Sequence, residues 1–203
     1  GTIPQDIGNL VYLTDLLLGP TNQFSGSIPV SLCGCTALTS IDTQFNMLSG
    51  SIPACLGNLS DLVDINFDSN QLTGCLPDTF FSQPSGAGES ALTTLSIQYN
   101  HLTGYLPTSI DQSTRLQFLY LHGNKLIGTI PESLANLRQL TFLALNSNNF
   151  TGSVPSALFG LKLLGTLALD ENYLTGTLPP EIVNATLLEE ISVNFNKLSG
   201  TLP

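Results

Sequence analysis

The chain has 203 residues, 15 acids against 5 bases for a net charge of −10, and no Trp. So few cations exclude nucleic acid and disfavour anionic membrane surfaces, because phosphate recognition needs clustered Lys and Arg; a basic protein or peptide suits the charge better. No apolar run reaches the ~18 residues of a membrane span, so no direct membrane insertion is expected of this segment.

Along the chain, one unit recurs. The prolines Pro4, Pro29, Pro53, Pro77, Pro107, Pro131, Pro155, Pro179 and Pro203 are spaced by 25, 24, 24, 30, 24, 24, 24 and 24 residues. Eight asparagines from Asn22 to Asn196 and eight glycines from Gly26 to Gly200 keep the same phase. One unit reads Leu137-x-x-Leu140-x-x-Leu143-x-Leu145-x-x-Asn148-x-Phe150-x-Gly152-x-Val154-Pro155. Leu143 and Leu145 alternate with period two, which predicts a short strand with one face inward. The Asn, able to donate and accept, is expected to satisfy backbone groups where the chain leaves the strand. Gly permits unusual dihedrals, and Pro fixes φ as a second extended segment ends.

This unit resembles the plant-type leucine-rich repeat, the pattern of receptor-kinase ectodomains, receptor-like proteins and polygalacturonase-inhibiting proteins. The resemblance covers essentially the whole chain. It implies an α/β repeat solenoid, residues 1–203, of about eight 24-residue repeats. In such a right-handed superhelix a concave parallel β-sheet is backed by short 3-10, helical or irregular convex segments. It also implies an extracellular recognition module, secreted or at the cell surface.

Departures from the pattern follow in chain order. The first repeat carries an extra residue in Gly19-Pro20-Thr21-Asn22, so its turn should bulge. Thr43 replaces a core Leu and needs a backbone partner for its hydroxyl. Cys35 aligns with core Leu59 and reads as a buried thiol. Cys33, Cys55 and Cys75 lie on adjoining segments, so Cys33–Cys55 and Cys55–Cys75 pairings are both open. The two histidines are far from these cysteines in sequence, so no metal site is expected, and no cofactor. The long spacing marks a convex-side insertion near residues 78–91, ending in a Ser/Gly/Pro loop. Sequons place candidate N-glycans on Asn58 and Asn184 on the convex side, and on Asn149 in a turn. The chain starts and stops without polar capping repeats, which suggests a segment of a longer protein or ends covered by self- or neighbour-chain contacts.

Aligning the repeats exposes the solvent-facing strand columns. Phe118, Tyr120, His122 and Phe142 fall on two adjacent turns as one ligand-binding patch, because exposed aromatics are the common anchors of recognition. Asp42, Asp64 and Asp68 on one side, with Asp170 and Glu190 on the other, form an acidic rim that would steer a basic partner. Asp64 and Asp68 could resemble a catalytic carboxylate pair, but an open strand face should not raise either pKa. With no nucleophile elbow, phosphate loop or metal signature, the chain is expected not to be an enzyme. Its function then reads as protein or peptide recognition. The alternatives are a structural or adhesive solenoid and, from the Ser/Thr column after each Gly (Ser27, Ser51, Thr129, Ser153, Thr177, Thr201), an ice-binding protein.

Overall fold

Each 24-residue unit turns once and lays the same three elements against its neighbour. The computed structural model describes residues 1–81 and 90–201. Eight three-residue strands, Asp15–Leu17, Ser40–Asp42, Asp64–Asn66, Thr94–Ser96, Phe118–Tyr120, Phe142–Ala144, Thr166–Ala168 and Glu190–Ser192, form one parallel sheet in chain order. The central side chains from Ile41 to Leu167, Leu119 and Leu143 among them, are buried, Ile191 at the last strand is half-buried, and their two neighbours face the other way. Such a short strand cannot bury its face alone; it needs the turns on both sides.

The second extended segment, around each Gly, builds two smaller parallel sheets on another side, Ser25–Ser27 with Met47–Ser51 and Gln71–Thr73, and Ile127–Thr129 with Asn149–Gly152, Tyr173–Gly176 and Lys197–Leu198. Gly152 shows why glycine is needed here. Its φ is +80°, and an added Cβ would sit 2.9 Å from the Thr129 methyl on the turn before. The Pro that follows caps a five-residue 3-10 helix in most turns, such as Glu132–Asn136 and Ser156–Gly160. Its fixed φ, −62° at Pro155, suits the extended residue before a helix.

The phased asparagines tie turn to turn. The Asn124 amide nitrogen donates to the carbonyls of Ile97 at 2.9 Å and Leu121 at 3.1 Å. Its oxygen accepts the Leu102 N–H at 3.0 Å. Asn46, Asn70, Asn100, Asn148 and Asn172 repeat this pattern and are buried. Asn22 does not follow them. The extra residue of its turn leaves it exposed, bonded only to the Leu18 carbonyl at 2.9 Å, with Thr21 at φ +73° in the bulge.

Three other expectations need correction. The Thr43 hydroxyl, expected to find a backbone partner, is buried without one. Asp78–Phe81 is not part of an insertion: Asp78–Phe80 is a 3-10 helix like its neighbours, and Phe80 and Phe81 lie in the core. Of the segment 78–91, residues 82–89 lie outside the described residues. Asn149 sits at the start of a strand of the second sheet rather than in a turn; Asn58 and Asn184 close 3-10 helices, and all three are exposed. Of the two open pairings, Cys33–Cys55 is the disulfide, with Cα atoms 5.8 Å apart. Cys75 is a free, exposed thiol just after the strand Gln71–Thr73, bridged to Thr103 on the next turn, and Cys35 is free and buried. Among the described residues no helix is long and apolar enough to cross a membrane.

Candidate functional site

The outward residues of the middle strands come together as one aromatic surface. In register, Phe118 lies beside Phe142 and Tyr120 beside Ala144. The small Ala144, itself buried, leaves room for the Tyr120 ring to approach Phe142 diagonally, centroids 4.7 Å apart. Its ring is parallel to that of Phe118 at 6.3 Å. Such pairs add about 0.5–1.5 kcal/mol beyond their area, so the cluster is held in place before any ligand arrives. All four residues of the patch are half-buried rather than standing free in solvent.

His122 is joined by a residue that column alignment does not assign to the patch. Tyr99 stacks edge-on against it, centroids 4.9 Å apart, and remains 57% exposed. Tyr99 has φ +53°, so the alternation of the strand has already ended and its ring turns sideways over the next turn. There it lies on Gly123, where a Cβ would come within 2.6 Å of the ring. The corresponding positions of the neighbouring turns carry Phe45, Ser69, Ser147 and Glu171, also with positive φ. An aromatic ring followed one turn later by Gly at this position was the available signal.

Behind these rings lies an uncommon carboxyl. Asp68 is only 6% exposed, so it is a floor residue and not a member of an exposed rim. Its oxygens accept from the Ser96 hydroxyl at 2.8 and 2.9 Å, the Gln98 backbone N–H at 3.0 Å and the Gln98 side-chain amide at 2.8 Å. Burial pushes the Asp68 carboxyl up to about 6, assisted by the charge of Asp42 and opposed by the Ser96 and Gln98 hydrogen bonds. The expectation that an open strand face could not raise a carboxyl pKa fails here, because the adjacent turn supplies side chains that close over the acid. Burial also raises the Tyr120 hydroxyl, and the Asp68 charge adds to it. The His122 imidazole is pushed down by burial, with Asp170 pulling the other way. His122 is therefore the neutral form near pH 7, and its Nδ1 is buried without a partner, as is the Gln98 carbonyl oxygen.

The remaining acids are spread along the face. Asp42 is half-buried and accepts from the backbone and side-chain amides of Gln44, both at 3.0 Å. Asp64 accepts the Thr93 hydroxyl at 3.3 Å. Asp170 is half-buried near His122, and Glu190 is exposed on the last strand. The face thus combines a preformed apolar centre with acids on either side of it, which suits an amphipathic, cationic chain. Among the described residues no cluster of His, Cys, Asp and Glu is arranged to hold a metal ion.

Comparison with known proteins places this geometry in context. The model of the leucine-rich-repeat family matches residues 91–113, 115–137 and 139–161. Among solved structures, the chain is similar to the plant peptide hormone receptor RGFR1 in complex with RGF2, with 37% identity and a TM-score of 0.91 over 99% of this chain. It covers 31% of that receptor chain, so it spans about a third of its length. It is 30% identical to a pollen receptor kinase 3, covering 77% of each chain with a TM-score of 0.63. It is 26% identical to a plant ice-binding protein, over 99% of this chain and 63% of that one, with a TM-score of 0.82. No curated protein matches it in sequence.

Proposed function

We propose that this chain, which belongs to the leucine-rich-repeat family of the plant type, is an extracellular peptide-recognition module that holds a basic peptide on its concave sheet. The observation that carries this reading is the contact cluster of Phe118, Tyr120 and Phe142, preassembled on the outward face of the sheet. A ligand buries apolar area on rings that lose little freedom on binding, so little affinity is spent on ordering. Asp68, Asp170 and the more distant Asp42, Asp64 and Glu190 supply the negative field that draws a basic chain in and places its cations beside the rings. The likeness to a receptor solved with a peptide hormone supports the same class of ligand. Asn58, Asn149 and Asn184 serve as glycan sites in this reading; none lies on a strand of the concave sheet, so glycans leave that face open.

The test is affinity for a basic peptide selected by panning a displayed library against the chain. Tyr120→Ala and Phe142→Ala each remove a central aromatic anchor and should weaken binding by tenfold or more, on the order of 1–2 kcal/mol. Unchanged affinity in both variants would exclude the cluster as the binding site.

A second reading rests on the second sheet. Ser27, Ser51, Thr129, Ser153, Thr177 and Thr201 stand exposed in one column, each just after its Gly. Parallel strands repeat every ~4.8 Å, so their hydroxyls form a regular ladder able to order water, interrupted by Cys75 and Tyr105. The likeness to a plant ice-binding protein supports it. Thermal hysteresis that is lost in Thr177→Leu would favour this reading, and a solution with none would remove it.

A further inference from the structure

Two opposed demands meet at Asp68. Its burial favours the neutral acid, whereas the hydrogen bonds from Ser96 and Gln98 favour the charged one. Oδ1 accepts the Gln98 backbone N–H at 3.0 Å, Oδ2 accepts the Gln98 side-chain amide at 2.8 Å, and the Ser96 hydroxyl lies 2.8 and 2.9 Å from the two. A carboxylate only accepts, but a protonated carboxyl carries one O–H that needs an acceptor. Neither Gln98 nitrogen can supply one.

An acceptor is already at hand. The amide that donates to Asp68 carries an oxygen on its other branch, and that oxygen is buried with no partner. On the next turn the His122 carbonyl accepts the Tyr99 N–H at 3.0 Å, so His122 lies beside Gln98 in the extension of the sheet. His122 Nδ1 is a second buried atom of this face with no partner. Two orphaned polar atoms on neighbouring side chains cost free energy as they stand.

We infer that Gln98 is a proton-operated toggle: when Asp68 takes up a proton the Gln98 amide turns over, and the concave face releases a basic ligand. After the half-turn Gln98 Oε1 accepts the Asp68 O–H. Its NH₂ then donates to His122 Nδ1, with the imidazole proton on Nε2. Both orphans gain partners, one proton comes from solvent, and one negative charge beside the aromatic cluster is lost. The other titratable groups around Asp68 are Asp42 on the strand before, Asp64 at the head of its own strand, and Tyr120 and His122 on the turn beyond Gln98. The Asp42 charge favours the proton on Asp68, and Tyr120, raised by burial, stays neutral. Burial pushes His122 down, so its own charge is gained at a lower pH than in a free imidazole. By linkage, a cation bound here must in turn hold the proton off Asp68. The release rests on the reading of the concave face as a basic-peptide site; the toggle does not.

Experiment separates the two. The unliganded chain, labelled with ¹³C and ¹⁵N, is titrated between about pH 4 and 8. The Asp68 carboxyl carbon, the Gln98 side-chain amide and His122 Nδ1 should move together with one midpoint near 6. Asp68→Asn should hold Gln98 in the turned state at every pH. Gln98→Met should leave Asp68 titrating while His122 Nδ1 no longer follows it. An Asp68 that titrates with no response at the Gln98 amide, or a His122 response at the Asp68 midpoint that survives Gln98→Met, overturns the toggle. A second arm measures a panned peptide, blocked at both ends and with only Lys and Arg as ionisable side chains, at about pH 7.5 and about pH 5. The parent should bind about fivefold or more weakly in acid. Asp68→Asn should bind alike at both, with the parent's acid affinity. No change in the parent, or an equal fall in Asp68→Asn, overturns the release. A peptide that binds at neither pH, with the three resonances still moving together, sinks the concave-face reading and the release while the toggle stands.

Discussion

Replacing Asp68 by Asn should change how stability depends on pH. The carboxyl is raised from 3.8 to about 6, a shift of about two units. At 1.36 kcal/mol per unit the ceiling is ~3 kcal/mol. Relaxation of the polar groups around the acid offsets part of this, which leaves about 1–2 kcal/mol. The sign follows from the direction of the shift. A folded pKa above the unfolded one means that the folded chain prefers the protonated acid, so the contribution is fully present below about pH 4 and lost as pH rises through about 6. Asp68→Asn removes this slope and keeps the fold. The new amide oxygen can still accept from Ser96 and the Gln98 N–H. Its NH₂ would oppose the Gln98 side-chain donor, but Gln98 can turn its amide over, since its own oxygen is unpartnered. Thermal unfolding of parent and variant, followed by circular dichroism between pH 4 and 8, gives the difference directly. For a chain of this size 1–2 kcal/mol corresponds to roughly 3–6 °C, so the parent should lose about that much more than the variant between pH 4 and 7. Parallel profiles would refute the burial argument.

Other consequences are more local. Asn124→Ala strips partners from buried carbonyls and the Leu102 N–H and should cost about 2–4 kcal/mol in denaturant unfolding, whereas a surface change such as Gln139→Ala should cost almost nothing. Thr43→Val replaces an unpartnered buried hydroxyl by a methyl of the same size and should stabilise by roughly 1 kcal/mol; a destabilised variant would mean that the hydroxyl has a partner. Replacing Cys33 and Cys55 together by Ser opens a loop of 22 residues and should cost ~3 kcal/mol, while Cys75→Ser should leave stability unchanged. Gly123→Ala forces Tyr99 off its seat and should alter the His122 ring resonances, even though non-glycine residues hold the same backbone elsewhere; unaltered resonances would place Tyr99 differently.

The repeat was legible because its key residues answer demands that recur in every turn. A buried bend needs an amide that can both donate and accept, hence Asn124 and Asn148; a close approach at positive φ needs Gly152; a helix start needs Pro155. The outward residues could be aligned for the same reason: Phe118, Tyr120 and Phe142 are in ring contact, whereas His122 packs against Tyr99. Asp68 was misread as a rim acid because its burial comes from Ser96 and Gln98, 28 and 30 residues further on, and nothing in its own turn signals their closure over it. Tyr99 was left out since a left-handed residue breaks the alternation that assigns strand faces. Thr43 defeated a general rule, that a buried hydroxyl finds a carbonyl, because it stands at a core position meant for an apolar side chain and its hydroxyl meets no acceptor there. The cysteine pairing needed the actual Cα distance, since spacing alone allowed both choices.

The central claim, that peptide recognition uses the concave aromatic cluster, is tested most directly by hydrogen exchange of the chain with and without a saturating panned basic peptide. Protection confined to the Thr94–Ser96, Phe118–Tyr120 and Phe142–Ala144 strands and their following residues is the result expected. Protection confined instead to the second sheet, around Asn149–Gly152 and Tyr173–Gly176, or to the 3-10 helices would contradict it.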